Sequence, residues 1–193
     1  MANNYLRDVT VLVADNQEFV CSLVRVMLRP LGCTKVRDAS SGEQAWEIFL
    51  SSPVDLIIAD WYMKPMDGLE LTRHIRNDKQ SPNPYVPVIM ISGFAEMARI
   101  VEARDAGINE FVVKPLAAKA LFSRIQAVIE HPRQFVRTAS FFGPDRRRKE
   151  QEVEDDRRGK KPDEKKPPAD PKKEMKQDEV DAFLSPDSQP PEA

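Results

Sequence analysis

An open α/β fold, with a parallel sheet covered by helices on both faces, is what this 193-residue sequence predicts. Five short apolar runs alternate with five segments whose apolar residues recur at helical spacing. The runs are mostly continuous rather than alternating, as expected where both faces of a strand are buried. Strands joined by helical crossovers imply parallel pairing with right-handed connections.

The first strand is read at residues 9–14, a β-branched apolar run. Asn16 is placed to cap the next helix, where Phe19, Val20, Leu23, Val24, Met27 and Leu31 share helical spacing. Pro30 and Gly32 mark its end. A weak second strand is expected at 35–38, followed by a helix that Ser41 opens, with Ala45, Ile48 and Phe49 on one face. Pro53 announces a third strand at 54–59. Asp67 caps a third helix with Leu71, Ile75 and His74 turned inward. After a loop containing Pro82, Pro84 and Pro87 come a fourth strand at 88–91 and a helix at 95–106 stopped by Gly107. A fifth strand at 110–113 and a helix at 117–129 complete the domain.

Composition changes sharply after Gly143. The remaining large apolar residues are Val153, Met175, Val180, Phe183 and Leu184, and eight of the 16 prolines lie there. Such a segment buries too little apolar surface to offset the entropy of ordering, so a disordered charged and Pro-rich tail is expected over 144–193. The net charge is −2. The basic run Arg146-Arg147-Arg148-Lys149 is followed at once by Glu150, Glu152, Glu154, Asp155 and Asp156, which argues against a nucleic-acid arm. Cys21 and Cys33 lack metal-ligand spacing and sit in apolar contexts, the pattern of small buried thiols in a reducing compartment. No basic-then-apolar leader and no bilayer-length apolar run is present, so a cytoplasmic protein without membrane contact is expected.

In a parallel sheet the carboxyl ends of the strands converge on one edge, where ligands bind. Here those ends carry Asp15 and Asn16, Asp60, Ser92 and Gly93, and Lys114 and Pro115. Two carboxylates, an amide, a hydroxyl and an amine are thus gathered on short loops. Oxygen ligands of this kind suit Mg²⁺. Lys114 and Ser92 would supply a cation and a donor to a transferring phosphoryl group, and Asp60, the central carboxylate, is the natural nucleophile. Any one of these residues alone reads as a cap or an ordinary loop residue. Their placement at the same end of successive strands is the signal.

The stretches Val11-Leu12-Val13-Ala14-Asp15, Asp55-Leu56-Ile57-Ile58-Ala59-Asp60-Trp61, Met66-Asp67-Gly68-Leu69-Glu70-Leu71, Pro87-Val88-Ile89-Met90-Ile91-Ser92-Gly93 and Phe111-Val112-Val113-Lys114-Pro115 resemble the receiver domains of two-component response regulators. The likeness is to the single-domain, CheY-like chemotaxis type and covers about residues 8–131. It implies a flavodoxin-like sheet of order 2-1-3-4-5. It implies that Asp60 accepts phosphate from a sensor histidine kinase or phosphotransfer protein. Asp15, Asn16, Asp60 and the Tyr62 carbonyl would hold Mg²⁺. Ser92 corresponds to the switch hydroxyl, Phe111 to the aromatic that turns inward with it, and Lys114 to the phosphate-binding amine with a cis bond to Pro115.

Two positions depart from that pattern. Asn16 replaces the family's second acid, which lowers the expected Mg²⁺ affinity and keeps open a phosphorylation-independent, pseudo-receiver interaction module. Lys64 stands where many relatives have proline, and is read as pointing into water. Tyr62 and Phe94, two residues beyond Asp60 and Ser92, predict slow loss of phosphate through exclusion of water. A haloacid-dehalogenase-like phosphatase would need a second acid at Tyr62. No glycine-rich nucleotide loop is present. The expectation is therefore a signalling protein rather than an enzyme, and the resemblance implies a chemotaxis or motility setting.

No recognisable output domain follows. The apolar extension at 132–143, with Phe135, Val136, Phe141 and Phe142, is expected to dock back onto the domain. Near the C-terminus, Val180, Phe183 and Leu184 lie at i, i+3 and i+4 within a short amphipathic helix at 177–184, with Asp178 and Glu179 suited to its N-terminus. The stretch looks like the N-terminal peptide of flagellar motor switch proteins, which docks on the face formed by the fourth helix, fifth strand and fifth helix of chemotaxis regulators. That resemblance implies a tail that binds a receiver, its own or another's.

Overall fold

A computed structural model of the chain describes residues 5–138, 141–145 and 172–184. Five strands form one parallel sheet: β1 (Thr10–Ala14), β2 (Lys35–Ala39), β3 (Leu56–Asp60), β4 (Val88–Ser92) and β5 (Glu110–Val113), in the order β2-β1-β3-β4-β5. The helices are α1 (Glu18–Leu28), α2 (Gly42–Ser51), α3 (Gly68–Asn77), α4 (Met97–Ala106) and α5 (Ala118–Glu130). The predicted fold class and strand order are therefore present.

The sheet divides the core in two, because successive side chains of each strand point to opposite faces. Leu12, Ile57, Ala59, Val88 and Met90 face Phe49, Leu71, Ile75, Ile100 and Ala103. Val11, Val13, Ile58, Ile89, Ile91 and Val112 face Val24, Leu28, Leu121, Ile125 and Val128. β3 and β4 are buried along their whole length, which is why their sequences run apolar without a break.

Local signals set most helix ends. Ser41 caps α2 by accepting from the Gln44 N–H. Asp67 and Glu70 form a reciprocal capping box at the start of α3. Gly107 stops α4 in the left-handed conformation, with φ of 98°. Some expectations fail. Gln17, not Asn16, occupies the cap position of α1, and its side chain makes no capping bond. Asn16 sits instead in the exposed loop after β1. Phe19 is 74% exposed, because the buried stripe of α1 runs through Val20, Cys21, Val24 and Leu28. α1 ends at Leu28, and Pro30 sits in a short 3₁₀ turn (Arg29–Leu31). His74 is exposed, its Nδ1 3.6 Å from Asp78 Oδ2, while Arg76 on the same helix is buried.

Beyond α5 the chain folds back. β6 (Phe135–Arg137) and β7 (Phe142–Pro144) form an antiparallel hairpin, so the apolar extension docks as expected. Its Phe135 and Phe142 rings pack at 5.2 and 5.3 Å from Tyr85. The tail differs from expectation in part. Residues 146–171 and 185–193 lie outside the described residues, but residues 172–184 are ordered and form α6 (Gln177–Leu184) with the segment before it. Burial of Met175, Val180 and Leu184 against the domain accounts for that order. Cys21 and Cys33 are buried free thiols, and burial pushes the Cys21 thiol up to about 11. Among the described residues no helix is long and apolar enough to cross a membrane.

Candidate functional site

Three strand ends deliver charged groups to one point. β1 hands over to Asp15, β3 ends in Asp60, and β5 is followed by Lys114. The register places Ala14 beside Ala59, and Asp60 beside Ile91, so the loops emerge side by side. Lys114 Nζ lies 2.9 Å from Asp15 Oδ2 and 2.8 Å from Asp60 Oδ1. The Lys114 N–H donates to the Ser92 carbonyl at 2.8 Å, which ties the β5 loop to the end of β4. The Lys114–Pro115 bond is cis, and so is Lys64–Pro65.

Asp60 is only 5% exposed. Burial lifts its carboxyl above the usual range; the ammonium of Lys114 opposes that rise and the charge of Asp15 adds to it. Burial works against the Lys114 ammonium, but its bonds to Asp60 and Asp15 outweigh burial, and it titrates above its usual value. Asp15 is fixed from behind, its other oxygen accepting the Gln17 N–H at 2.8 Å. Ser92 is fully buried at the end of β4, with its hydroxyl oxygen accepting from the Phe94 N–H at 3.1 Å. Phe111 is also fully buried, with its ring edge-on to Trp61 at 6.5 Å. Lys64 is exposed.

Tyr62 and Phe94, on the loops that follow Asp60 and Ser92, stand edge-to-face at 5.5 Å, 43% and 49% exposed. Sequence reasoning missed what holds them. The Arg99 guanidinium, from the first turn of α4, lies 5.3 Å from the Tyr62 ring and 5.4 Å from the Phe94 ring. It also donates to the Tyr62 hydroxyl and pairs with Glu96. Cation–π attraction to these two rings, and to Trp61 at 5.8 Å, ties the loops after β3 and β4 to α4. Gly68 was missed as well: a Cβ there would sit 2.2 Å from the Asp60 carbonyl oxygen. Its place in Asp67-Gly68-Leu69, beside a helix cap, was the available signal.

Residues 11–126 match the response regulator receiver domain family. This chain belongs to that family. The receiver is 32% identical over 120 residues to the chemotaxis protein CheY of Pseudomonas aeruginosa, covering 62% of this chain and 95% of that one. It is 30% identical over 124 residues to CheY-3 of Vibrio cholerae, covering 64% and 94%. Among solved structures, CheY4 of Vibrio cholerae superposes with a TM-score of 0.57 at 25% identity, covering 63% of this chain and 98% of that one. A CheX–CheY–BeF3–Mg complex from Borrelia burgdorferi shares the fold, with a TM-score of 0.57 at 24% identity, covering 62% and 88%. The chain is thus a receiver of two-component signalling, similar to chemotaxis regulators, with additions after residue 126 that lie beyond the family match.

The donor set fits a hard divalent cation. Asp15 and Asp60 present carboxylate oxygens close enough together to share one ammonium, Asn16 follows Asp15 directly, and the Tyr62 carbonyl lies two residues beyond Asp60. All are oxygen ligands of the class Mg²⁺ takes. Asn16 is neutral, so Asp15, Asp60 and Lys114 together carry a net charge of about −1 where a third acid would make it about −2, and cation affinity falls with it.

Proposed function

We propose that the receiver accepts a phosphoryl group on Asp60 from a histidine kinase or phosphotransfer protein and signals through protein contacts rather than as an enzyme, in the cytoplasm and in a chemotaxis or motility setting. The observation that carries this reading is the shared contact of Lys114 Nζ with Asp15 and Asp60, two buried carboxylates at the ends of β1 and β3. An Asp60 oxygen forms the new bond to phosphorus while the donor's phosphorus–nitrogen bond breaks, and the imidazole leaves with a proton. Lys114 faces the pocket as a fixed cation and neutralises charge on the transferring oxygens without reorganising. Mg²⁺ held by Asp15, Asn16, Asp60 and the Tyr62 carbonyl would add electrostatic stabilisation of those oxygens. The likeness of the tail to motor-switch peptides makes a chemotaxis receiver or a motor-switch component the natural partner of the tail.

The test is incubation of the full chain with acetyl phosphate and Mg²⁺, followed by intact mass. A gain of one phosphoryl group is expected, and Asp60→Asn is expected to abolish it. Asn16 favours a second reading, an interaction module that works without phosphate; absence of any mass gain in the parent selects that reading and removes the first.

The Tyr62–Phe94–Arg99 cover should slow attack by water on the acyl phosphate. Replacing Tyr62 by Asn opens that cover and also releases Arg99. The phosphate lifetime is expected to shorten roughly three- to tenfold, read by loss of the added mass after removal of the donor. Equal lifetimes in variant and parent reject the shielding role.

A further inference from the structure

The face formed by α4, β5 and α5 is occupied by the chain's own residues 172–184. The segment arrives extended. Met97 N–H donates to the Lys173 carbonyl at 3.2 Å and Met175 N–H donates to the Ala95 carbonyl at 2.9 Å, with Glu96 and Glu174 in an antiparallel bridge. It then turns into α6. The Gln177 side-chain amide completes the free edge of β5: its oxygen accepts from the Val113 N–H at 2.7 Å and its nitrogen donates to the Phe111 carbonyl at 2.9 Å. Val180, Leu184 and Met175 are buried against Ala95, Met97, Ile100 and Ala103.

Charge makes the fit selective. Arg124 and Arg133 both pair with Glu110, at 3.1 Å each, so two arginines share one acid there. Asp181 of α6 supplies a second carboxylate, 3.1 Å from Arg124. Gln177 and Asp181 are one turn apart and bonded to each other at 2.6 Å. Arg133 also donates to the Leu184 carbonyl at 3.0 Å, closing the helix's C-terminal end, and Arg104 lies 5.1 Å from the Phe183 ring. The recognised pattern is therefore a glutamine, an aliphatic residue three positions on, an aspartate four on and an aliphatic seven on, preceded by an extended strand.

An eight-residue helix is too short to persist alone in water, so α6 owes its existence to this face. Its attachment to the same chain gives it an effective concentration far above that of any free partner. We propose that residues 172–184 are an intramolecular mask: this chain's own α6 and the extended segment before it hold the face as a tethered competitor, so that a free helix of the same pattern binds only by displacing them. The proposal deepens the reading that the receiver signals through contacts, by naming the chemistry of the contact. It carries no assumption about phosphate.

The probe is a fluorescein-labelled synthetic peptide of residues 172–184, titrated by anisotropy against full-length chains without phosphodonor or divalent ion. Val180→Glu, which cannot seat its own α6, is expected to bind the probe at least tenfold more tightly than the parent. Gln177→Ala, which loses both bonds to β5 but adds no charge, should fall between them. A probe carrying Asp181→Asn should bind Val180→Glu at least fivefold more weakly. Equal affinity for parent and both variants overturns the proposal, as does failure of both variants to bind while their circular dichroism matches the parent. A parent that sediments as a dimer, and becomes a monomer on Val180→Glu, would show exchange between copies and overturn the tethered competitor too. None of these results bears on Asp60, whose reading is decided by the mass gain alone.

Discussion

Replacing Arg76 by Met should lower the stability of the receiver by about 3–5 kcal/mol, the range for removing one partner from a buried charged network. Arg76 is 2% exposed. Its Nε donates to the Gly107 carbonyl at 2.9 Å, Nη1 to the Pro84 and Val86 carbonyls at 2.8 Å each, and Nη2 to Asn109 Oδ1 at 3.0 Å. The guanidinium also lies 5.0 Å from the Phe135 ring of the hairpin. Burial pushes it down to about 9, which still leaves it charged at neutral pH. One side chain therefore ties α3 to the loop before β4, the turn after α4 and the β6–β7 hairpin. Met keeps the apolar stem but strands the buried Gly107 and Val86 carbonyls and the half-buried Pro84 carbonyl, and each orphaned buried group costs about 1–3 kcal/mol. Asn109 suffers less, because its oxygen also accepts the Val88 N–H at 3.0 Å. Urea unfolding followed by circular dichroism measures the loss. A change below about 1 kcal/mol, the size of a single net hydrogen bond, would mean that water replaces the guanidinium and that Arg76 is no linchpin.

Arg76 also marks the limit of what the sequence discloses. Four of the five strands were legible as largely apolar runs, β5 with the bounds it has, Glu110–Val113, whereas β2, with Lys35, Arg37 and Asp38, gave only a weak signal. The convergence of Asp15, Asp60 and Lys114 was legible because strand ends in a parallel sheet share an edge, whatever the side-chain detail. Helix periodicity placed Leu71 and Ile75 inward correctly but put His74 with them. The true inward neighbour, Arg76, is charged, and the carbonyls that satisfy it come from residues 84–107, far along the chain. No local pattern encodes such a convergence. Arg99 escaped for the same reason: its partners Tyr62 and Phe94 lie on other loops. The tail was half legible. The i, i+3, i+4 spacing gave α6 and its apolar face, but tail composition argued for disorder throughout. What orders 172–184 is a complementary surface elsewhere in the molecule, with Gln177 completing an open strand edge and Asp181 pairing with Arg124.

Gly68 offers the test that joins fold to chemistry most directly. It is the first residue of α3, and its N–H donates to the Trp61 carbonyl at 3.0 Å. A Cβ at this position would meet the Asp60 carbonyl oxygen at 2.2 Å and Met90 Sδ at 3.1 Å. The nearer atom is backbone, so no rotamer change relieves the contact. Either the first turn of α3 retreats from β3 or the Asp60 peptide tilts. Overpacking of this kind costs about 1–3 kcal/mol. The functional effect of Gly68→Ala should be larger in proportion, since displacing a reacting group by about 1 Å can cost on the order of a hundredfold in rate. The rate of mass gain from acetyl phosphate is therefore expected to fall by roughly ten- to a hundredfold while the chain remains folded. Gly93→Ala is the matched control: it adds the same methyl group next to Ser92, where nothing lies within 4 Å, and its stability should stay within about 0.5 kcal/mol of the parent. If Gly68→Ala proves as stable and as quickly phosphorylated as Gly93→Ala, the close approach of α3 to Asp60 does not position the phosphoacceptor. If Gly68→Ala loses stability but keeps its rate, the helix has moved and Asp60 has not, which locates the rigidity of the site in Lys114 and the sheet rather than in the helix beneath it.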